Sequence, residues 1–426
     1  MIIGEYARRP SSGTLRRALA TILTLLPALL GRHPAAAADV GWSTHLAIVE
    51  RYDDNITQLS QRDLDRLATP GTGLSFGCGS LVTDKEIVAG DPAKRGRFAI
   101  TTPDDYISIP QLATEVRTGW LDGRPTSLGL DVSAYRYSEN TIKDHVSYRF
   151  FIAQPLQQAS NHRTTIEASY SAVPYDYLRN LRSMRAALDI STLPCPACFD
   201  ALPPPRREAT YHKSAGQIRV DQVILRKRLR LAVTGGREDR NYNPCFDERD
   251  SGMPFREAEL TWDPLGTERL RVRATYRRED LHANGDLFVP DGFNKNDVSS
   301  RRDTFGGEVR FRWGRAHHMR TIRLHYETEK RGYSTTDPND VFHFERVDRR
   351  RYSTIAARMD LGRGWFLVAA GERDINRSSF PVTPGSTFAP EDTTNYTENL
   401  IQFGIGYEFG LGSGSATGRL PGTPRE

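Results

Sequence analysis

The residues whose spacing most directly suggests chemistry are the four cysteines, Cys78, Cys195, Cys198 and Cys245. The run Cys195-Pro196-Ala197-Cys198 has the spacing of a dithiol redox pair or of half a zinc site. No second CxxC exists in the sequence, and Phe199 stands where c-type haem attachment needs a histidine. In an exported chain the default for four cysteines is disulfide bonding, with three connectivities open. Histidine beside aspartate offers a second chemistry. Asp280 with His282, or Asp340 with His343, could serve hydrolysis at an outer rim, but neither pair stands in a recognisable motif. The sequence has no phosphate loop, dinucleotide fingerprint or zincin motif. These residues give no catalytic, metal or cofactor site to assign.

A third chemistry is electrostatic. In RLRVRATYRR, Arg271, Arg273 and Arg277 alternate with Leu270, Val272, Ala274 and Tyr276. In TFGGEVRFRW, Glu308, Arg310 and Arg312 alternate with Val309, Phe311 and Trp313; in TIRLHYETE, Arg323, His325 and Glu327 alternate with Ile322, Leu324 and Tyr326. The same parity puts Arg117, Arg149, Arg228, Arg230 and Arg358 on a polar face with Glu115, Asp131, Glu167, Glu257, Glu259, Asp360 and Glu408. Facing rows of opposite charge would set a field across a pore and sort solutes, with at most a mild anion preference. Side by side, the same charges would neutralise each other and brace a wall. Sequence leaves both open.

The elements that must carry these charges have a period of two. Asn399–Phe409 (NLIQFGIGYEF) places Ile401, Phe403, Ile405, Tyr407 and Phe409 on one face and Gln402, Gly404, Gly406 and Glu408 on the other. Alternation begins at Trp42, Thr44, Leu46 and Ile48. A hairpin follows at residues 111–121 and 124–137 through Asp122-Gly123, a tight-turn dipeptide. Further strands are predicted over 146–152, 164–173, 210–224, 228–241, 255–262, 268–280, 304–313, 319–331, 352–361 and 365–376, about 14 in all. Connections alternate between short turns and long segments, as in a barrel inserted from one side of a membrane. Trp120, Trp262, Trp313 and Trp365 lie beside the short turns, where an aromatic girdle belongs. The expectation is an all-β, closed, antiparallel up-and-down transmembrane β-barrel over residues 39–409.

Composition agrees. Hydrophobic residues are 38 % of the 426, mean hydropathy is -0.55, and no run of 18 apolar residues occurs, which excludes a helical membrane protein. A barrel stays within these values because half of each strand faces a polar interior. Residues 1–38 read as a secretory signal peptide: Arg8, Arg9, Arg16 and Arg17, then the apolar run Ala18–Leu30, then small residues up to Ala38. Much of the formal charge of +5 sits in that leader, so the remainder gives no electrostatic ground for a nucleic-acid partner. Residues 410–426, rich in Gly, Ser, Pro and Thr, read as a flexible tail.

Gln402, Gly404, Tyr407 and Phe409 resemble the C-terminal signal that the barrel-insertion machinery reads in Gram-negative outer-membrane β-barrels, although here a tail follows the last aromatic. Tyr52, Asp53, Asp54 and Asn55 resemble the YDxN-type opening of porin-like groups. The resemblance implies a cell outer-membrane location, outer-membrane lipid as surroundings, and a passive pore or export conduit for small hydrophilic solutes or polymers. A scaffold barrel that binds an export or electron-transfer partner is the alternative it also allows. Barrels that sheathe multihaem cytochromes carry a CxxC too, but near the mature N-terminus. It implies no cofactor and leaves the oligomeric state open.

Overall fold

In this computed structural model, residues 41–58, 60, 64, 100, 102–121, 124–158, 163–182, 206–225, 228–244, 246, 249–284, 298–315, 318–336, 343–379 and 394–411 are described. The leader, residues 412–426 of the tail, the four cysteines and Asp340 lie outside them; Gly410 and Leu411, expected in the tail, pair with Ser43 and Trp42 instead. The strands are β1 (Gly41–Asp53), β2 (Asp105–Leu121), β3 (Arg124–Tyr137), β4 (His145–Gln158), β5 (Arg163–Arg182), β6 (Arg206–Ile224) and β7 (Leu229–Tyr242). They continue with β8 (Ser251–Trp262), β9 (Leu270–Ala283), β10 (Ser300–Trp313), β11 (Arg320–Tyr333), β12 (Val347–Gly362), β13 (Trp365–Ser379) and β14 (Tyr396–Leu411). Each pairs antiparallel with its sequence neighbours, and β1 pairs with β14 to close the barrel. The predicted closed barrel of 14 strands is the fold observed. Closure leaves no strand edge unpaired, the condition for crossing hydrocarbon with strands.

The seam between first and last strands is tied at both ends. At the loop end, the Tyr52–Asn55 motif does the tying. Asp54 accepts from the Asn399 backbone N–H at 2.6 Å and from Asn399 Nδ2 at 2.7 Å, while Asn55 Nδ2 donates to the Thr397 carbonyl at 3.0 Å. At the turn end, rings close it. Trp42 meets Phe409 edge-on at 5.5 Å, Phe409 stacks on Tyr407 at 5.7 Å, and Tyr407 meets Trp365 at 5.0 Å. The turn joining β12 to β13 consists of Arg363 and Gly364, both at positive φ (53° and 86°), the backbone of a two-residue hairpin that follows strand twist.

Outward positions are apolar and exposed over the middle of the strands. Leu46, Ile48, Val233, Phe305, Leu324, Ile355, Ile401 and Phe403 are between 43 % and 63 % exposed. A continuous apolar belt on a closed barrel is favourable where hydrocarbon, rather than water, surrounds it.

Inside, one sector is apolar. Ala47, Val49, Ile107, Ile109, Tyr135, Phe366 and Val368 form a buried cluster on β1, β2, β3 and β13. Phe366 can reach His45 across β14, ring centroids 4.8 Å apart, because Gly404 and Gly406 carry no side chain there. Phe366 lies opposite Gly406, Phe151 opposite Gly129 and Phe255 opposite Gly236. In all three a Cβ on the glycine would come within 2.5 Å of a ring carbon. A guanidinium covers the other side of each ring: Arg358 at 4.1 Å, Arg149 at 5.2 Å and Arg277 at 4.0 Å from the centroid.

Overpacking one of these sites costs about 1–3 kcal/mol. Gly129→Leu should therefore lower the urea midpoint of the folded barrel in vesicles, and Phe151→Ala in the same chain should restore part of it. Equal effects of Gly129→Leu with and without Phe151 would show that the ring does not rest on that glycine.

Several strands run further toward the long connections than the sequence predicts: β2 begins at Asp105 rather than 111, β5 ends at Arg182 rather than 173, and β12 begins at Val347 rather than 352. In β5 the cause is Pro174, which cannot donate to a ladder. The β5–β6 register shifts between Val173 and Asp176, and the strand resumes with its alternation changed.

Candidate functional site: the barrel interior

The interior holds a cavity of about 1900 Å³, lined from the turn level at Gly362 and Arg363 to the loop level at Lys143 and Asp176. Arg271, Arg273, Arg277, Glu308, Arg310, Arg312, Arg323, Glu327 and Arg358 all line it, as do Arg117, Arg149, Arg228, Arg230, Glu115, Asp131, Glu167, Glu257, Glu259, Asp360 and Glu408. Parity places them there: odd residues of β9 and β11 and even residues of β10 and β12 turn inward while their neighbours meet the belt.

Most of these charges pair within the wall. Arg273 Nη2 reaches Glu308 at 2.7 Å, Arg277 reaches Glu279 at 2.6 Å, Arg219 reaches Glu259 at 3.1 Å, and Arg230 reaches Asp221 at 2.5 Å. Arg149 bonds Glu167. Arg358 spans Asp360 at 2.8 Å and Glu408 at 2.9 Å, and Glu408 also meets His45 Nδ1 at 3.2 Å across the seam. Nearer the loops the network continues through Glu329, which the alternation of β11 already places inward, and through Arg302, Glu279, Arg350 and Asp374, which the sequence alone did not single out. Arg302 joins Glu279 at 3.0 Å to Glu329 at 3.3 Å, and Arg350 grips Asp374 at 2.5 Å. Arg302, Asp374 and Glu279 were legible as alternating charges once the strands are extended toward the loops.

One row differs. Arg271 of β9 lies opposite Arg310 of β10, and Arg310 lies opposite Arg323 of β11. Like charges directly opposed on neighbouring strands repel. Arg271 and Arg312 share Glu268, at 2.7 Å and 3.7 Å, in the turn between β8 and β9; Arg323 approaches Glu308 only at 4.0 Å. Among the described residues Arg310 has no acid partner, and its enclosed Nε and Nη2 donate to nothing. The interior therefore presents an apolar sector on β1–β3 and β13, a neutralised network, and a cationic row centred on Arg310. Arginines and carboxylates pair with neighbours on the same or adjacent strands, which leaves excess positive charge at the Arg310 row.

Of the histidine–aspartate pairs, Asp280 accepts from Arg301 Nε at 2.8 Å, and His343 packs its ring 5.1 Å from that of Tyr333. In the C-terminal motif, Tyr407 and Phe409 stand in the aromatic cluster at the turn end. Gln402 faces inward and accepts from Arg51 Nη2 at 3.2 Å.

No protein-family model and no curated protein sequence matches the chain. Among solved structures it is similar to an anion-selective porin from Comamonas acidovorans (8 % identity, 87 % of this chain and 99 % of that one, TM-score 0.36). It is also similar to the outer-membrane channel DcaP of Acinetobacter baumannii (8 % identity, 87 % and 97 %, TM-score 0.38) and to the TodX monoaromatic hydrocarbon channel (11 % identity, 91 % and 93 %, TM-score 0.39). At these scores the likenesses carry nothing over, and the function is argued from the barrel's own wall.

Proposed function

We propose that this chain is an outer-membrane barrel forming a passive conduit for small hydrophilic solutes, with a preference for anions set by Arg271, Arg310 and Arg323. The supporting observation is a cationic row without its full complement of acids, on the wall of a cavity of about 1900 Å³ most of whose other charges are paired. A donor enclosed without a partner carries a desolvation penalty, which a passing carboxylate, phosphate or halide relieves at the moment it reaches the row. The leader delivers the chain to the periplasm, and the last strand, with Gln402, Gly404, Tyr407 and Phe409, is the segment offered to the barrel-insertion machinery.

A second reading, a scaffold barrel contacting an export-system partner, is favoured by the density of ion pairs such as Arg302 between Glu279 and Glu329, which stiffen a wall whether or not anything passes. Purified barrel reconstituted in a planar bilayer separates the two. Under a potassium chloride gradient the conduit gives stable current with a reversal potential on the chloride side. A silent bilayer containing correctly inserted barrel supports the scaffold, and a cation-side potential removes the role given to the arginine row.

A further inference from the structure

The outer surface carries a second cationic cluster, on the loop side of the belt and facing away from the lumen. Lys330 of β11 lies opposite Arg349 of β12, and Arg349 lies opposite Arg377 of β13. Arg351 and Arg373 project from the same face, two residues along β12 and four along β13 toward the turns. All five are exposed, and among the described residues none makes an ion pair. The nearest acid on the row is Asp303, opposite Lys330; it accepts from Tyr276 Oη at 2.7 Å and lies 3.9 Å from Arg278. Arg377 spends one guanidinium nitrogen on the carbonyls of Asn376 and Tyr396, at 2.8 Å and 3.0 Å, which holds the group in place.

Three cations elsewhere on the outer surface each have an acid partner. Arg136 meets Asp144 at 3.0 Å, Arg237 meets Asp239 at 2.7 Å and Arg301 meets Asp280 at 2.8 Å. Three like charges in one cross-strand row repel. Just toward the turns on the same strands the face becomes lipid-like: Tyr326 is 52 % exposed, Leu324 49 % and Ile355 57 %. The cluster therefore stands where the belt ends and the headgroup layer begins.

We propose that this patch is a binding site for a phosphate-bearing lipid headgroup with more than one phosphate, whose acyl chains lie along the adjoining belt. The charge complementarity is direct: four guanidiniums offer forked donors that match phosphate oxygens, and Lys330 adds a point charge. Continuity with the belt selects a lipid over a free anion, since the chains add apolar contact that inorganic phosphate lacks. The site requires a barrel seated in a membrane and is indifferent to whether that barrel conducts.

The test is native mass spectrometry of the full chain, released from phosphatidylcholine nanodiscs doped with bisphosphorylated lipid A, with its monophosphorylated form, or with neither. The expected result is one bisphosphorylated lipid retained per barrel. Retention should fall at least tenfold in Lys330→Gln/Arg349→Gln/Arg377→Gln and be unchanged in Arg237→Gln/Asp239→Asn. The comparison of lipids on the parent chain stands even if the triple variant fails to fold, because loss of one phosphate should by itself weaken retention. Equal retention of both phosphorylation states, equal retention by a folded triple variant, or full displacement by millimolar inorganic phosphate each overturns the proposal.

Discussion

Replacing Arg310 by glutamate abolishes the anion preference of the conduit, and replacing Arg271, Arg310 and Arg323 together inverts it. The reversal potential under a potassium chloride gradient should move toward zero for the single variant and change sign for the triple. Each substitution exchanges +1 for -1 at a point on the cavity wall, and the three points are consecutive on one row. Screening sets the conditions: the Debye length is about 10 Å at 0.1 M salt and about 3 Å at 1 M, so the contrast should be large in the dilute regime and shrink in the concentrated one. A shift that persists undiminished at 1 M would point to an altered pore shape rather than an altered charge.

Arg310 is the informative position because removing it strands nothing. Replacing Arg273 would leave Glu308 with its closest cation gone, and replacing Arg302 would take the link from both Glu279 and Glu329. Breaking a buried pair from one side costs about 3–5 kcal/mol, so a change in conductance there would be confounded by a change in fold. At Arg310 the substitution puts an acid between two arginines that otherwise repel it. Arg310→Glu should therefore resist heat at least as well as the parent in a gel-shift assay of the folded barrel.

The architecture was readable from the amino acids because the two sides of every strand meet different solvents. Leu270, Val272, Ala274 and Tyr276 against Arg271, Arg273 and Arg277 record that difference directly, and parity suffices to assign the face. Parity fails where both faces are apolar: Ala47 and Val49 turn inward beside outward Leu46 and Ile48, so the apolar sector of the lumen left no distinct signal. It fails too where a proline shifts the register, as Pro174 does in β5. The interior was readable as a set of charges and not as an arrangement. Which arginine meets which carboxylate depends on the offset between neighbouring strands, and that offset is fixed by turn geometry such as the positive φ values at Arg363 and Gly364. Only with the offsets known do Arg271, Arg310 and Arg323 fall in one row. The cysteines, from which redox or disulfide chemistry was argued, lie outside the described residues.

Leu324→Arg should destabilise the barrel by about 2–4 kcal/mol, the cost of an arginine on a lipid-facing strand near the bilayer midplane. That is a shift of about 30- to 700-fold in the unfolding equilibrium, taking about 1.4 kcal/mol per tenfold. Leu324 is 49 % exposed, the middle residue of the outward apolar run Ile322, Leu324 and Tyr326 on β11, with Val309 of β10 and Ile355 of β12 directly opposite, themselves 42 % and 57 % exposed. The size of the effect identifies the surrounding medium. If water bathed this face, exchanging an exposed leucine for arginine would fall within about 0.5 kcal/mol of neutral, as surface substitutions do. Leu324→Ala in the same assay gives the part due to lost apolar contact, so the excess for arginine measures the charge alone. Urea unfolding from phosphatidylcholine vesicles provides the comparison. An arginine variant no weaker than the alanine one would mean that Leu324 meets water, and the membrane-spanning reading of the belt would fall with it.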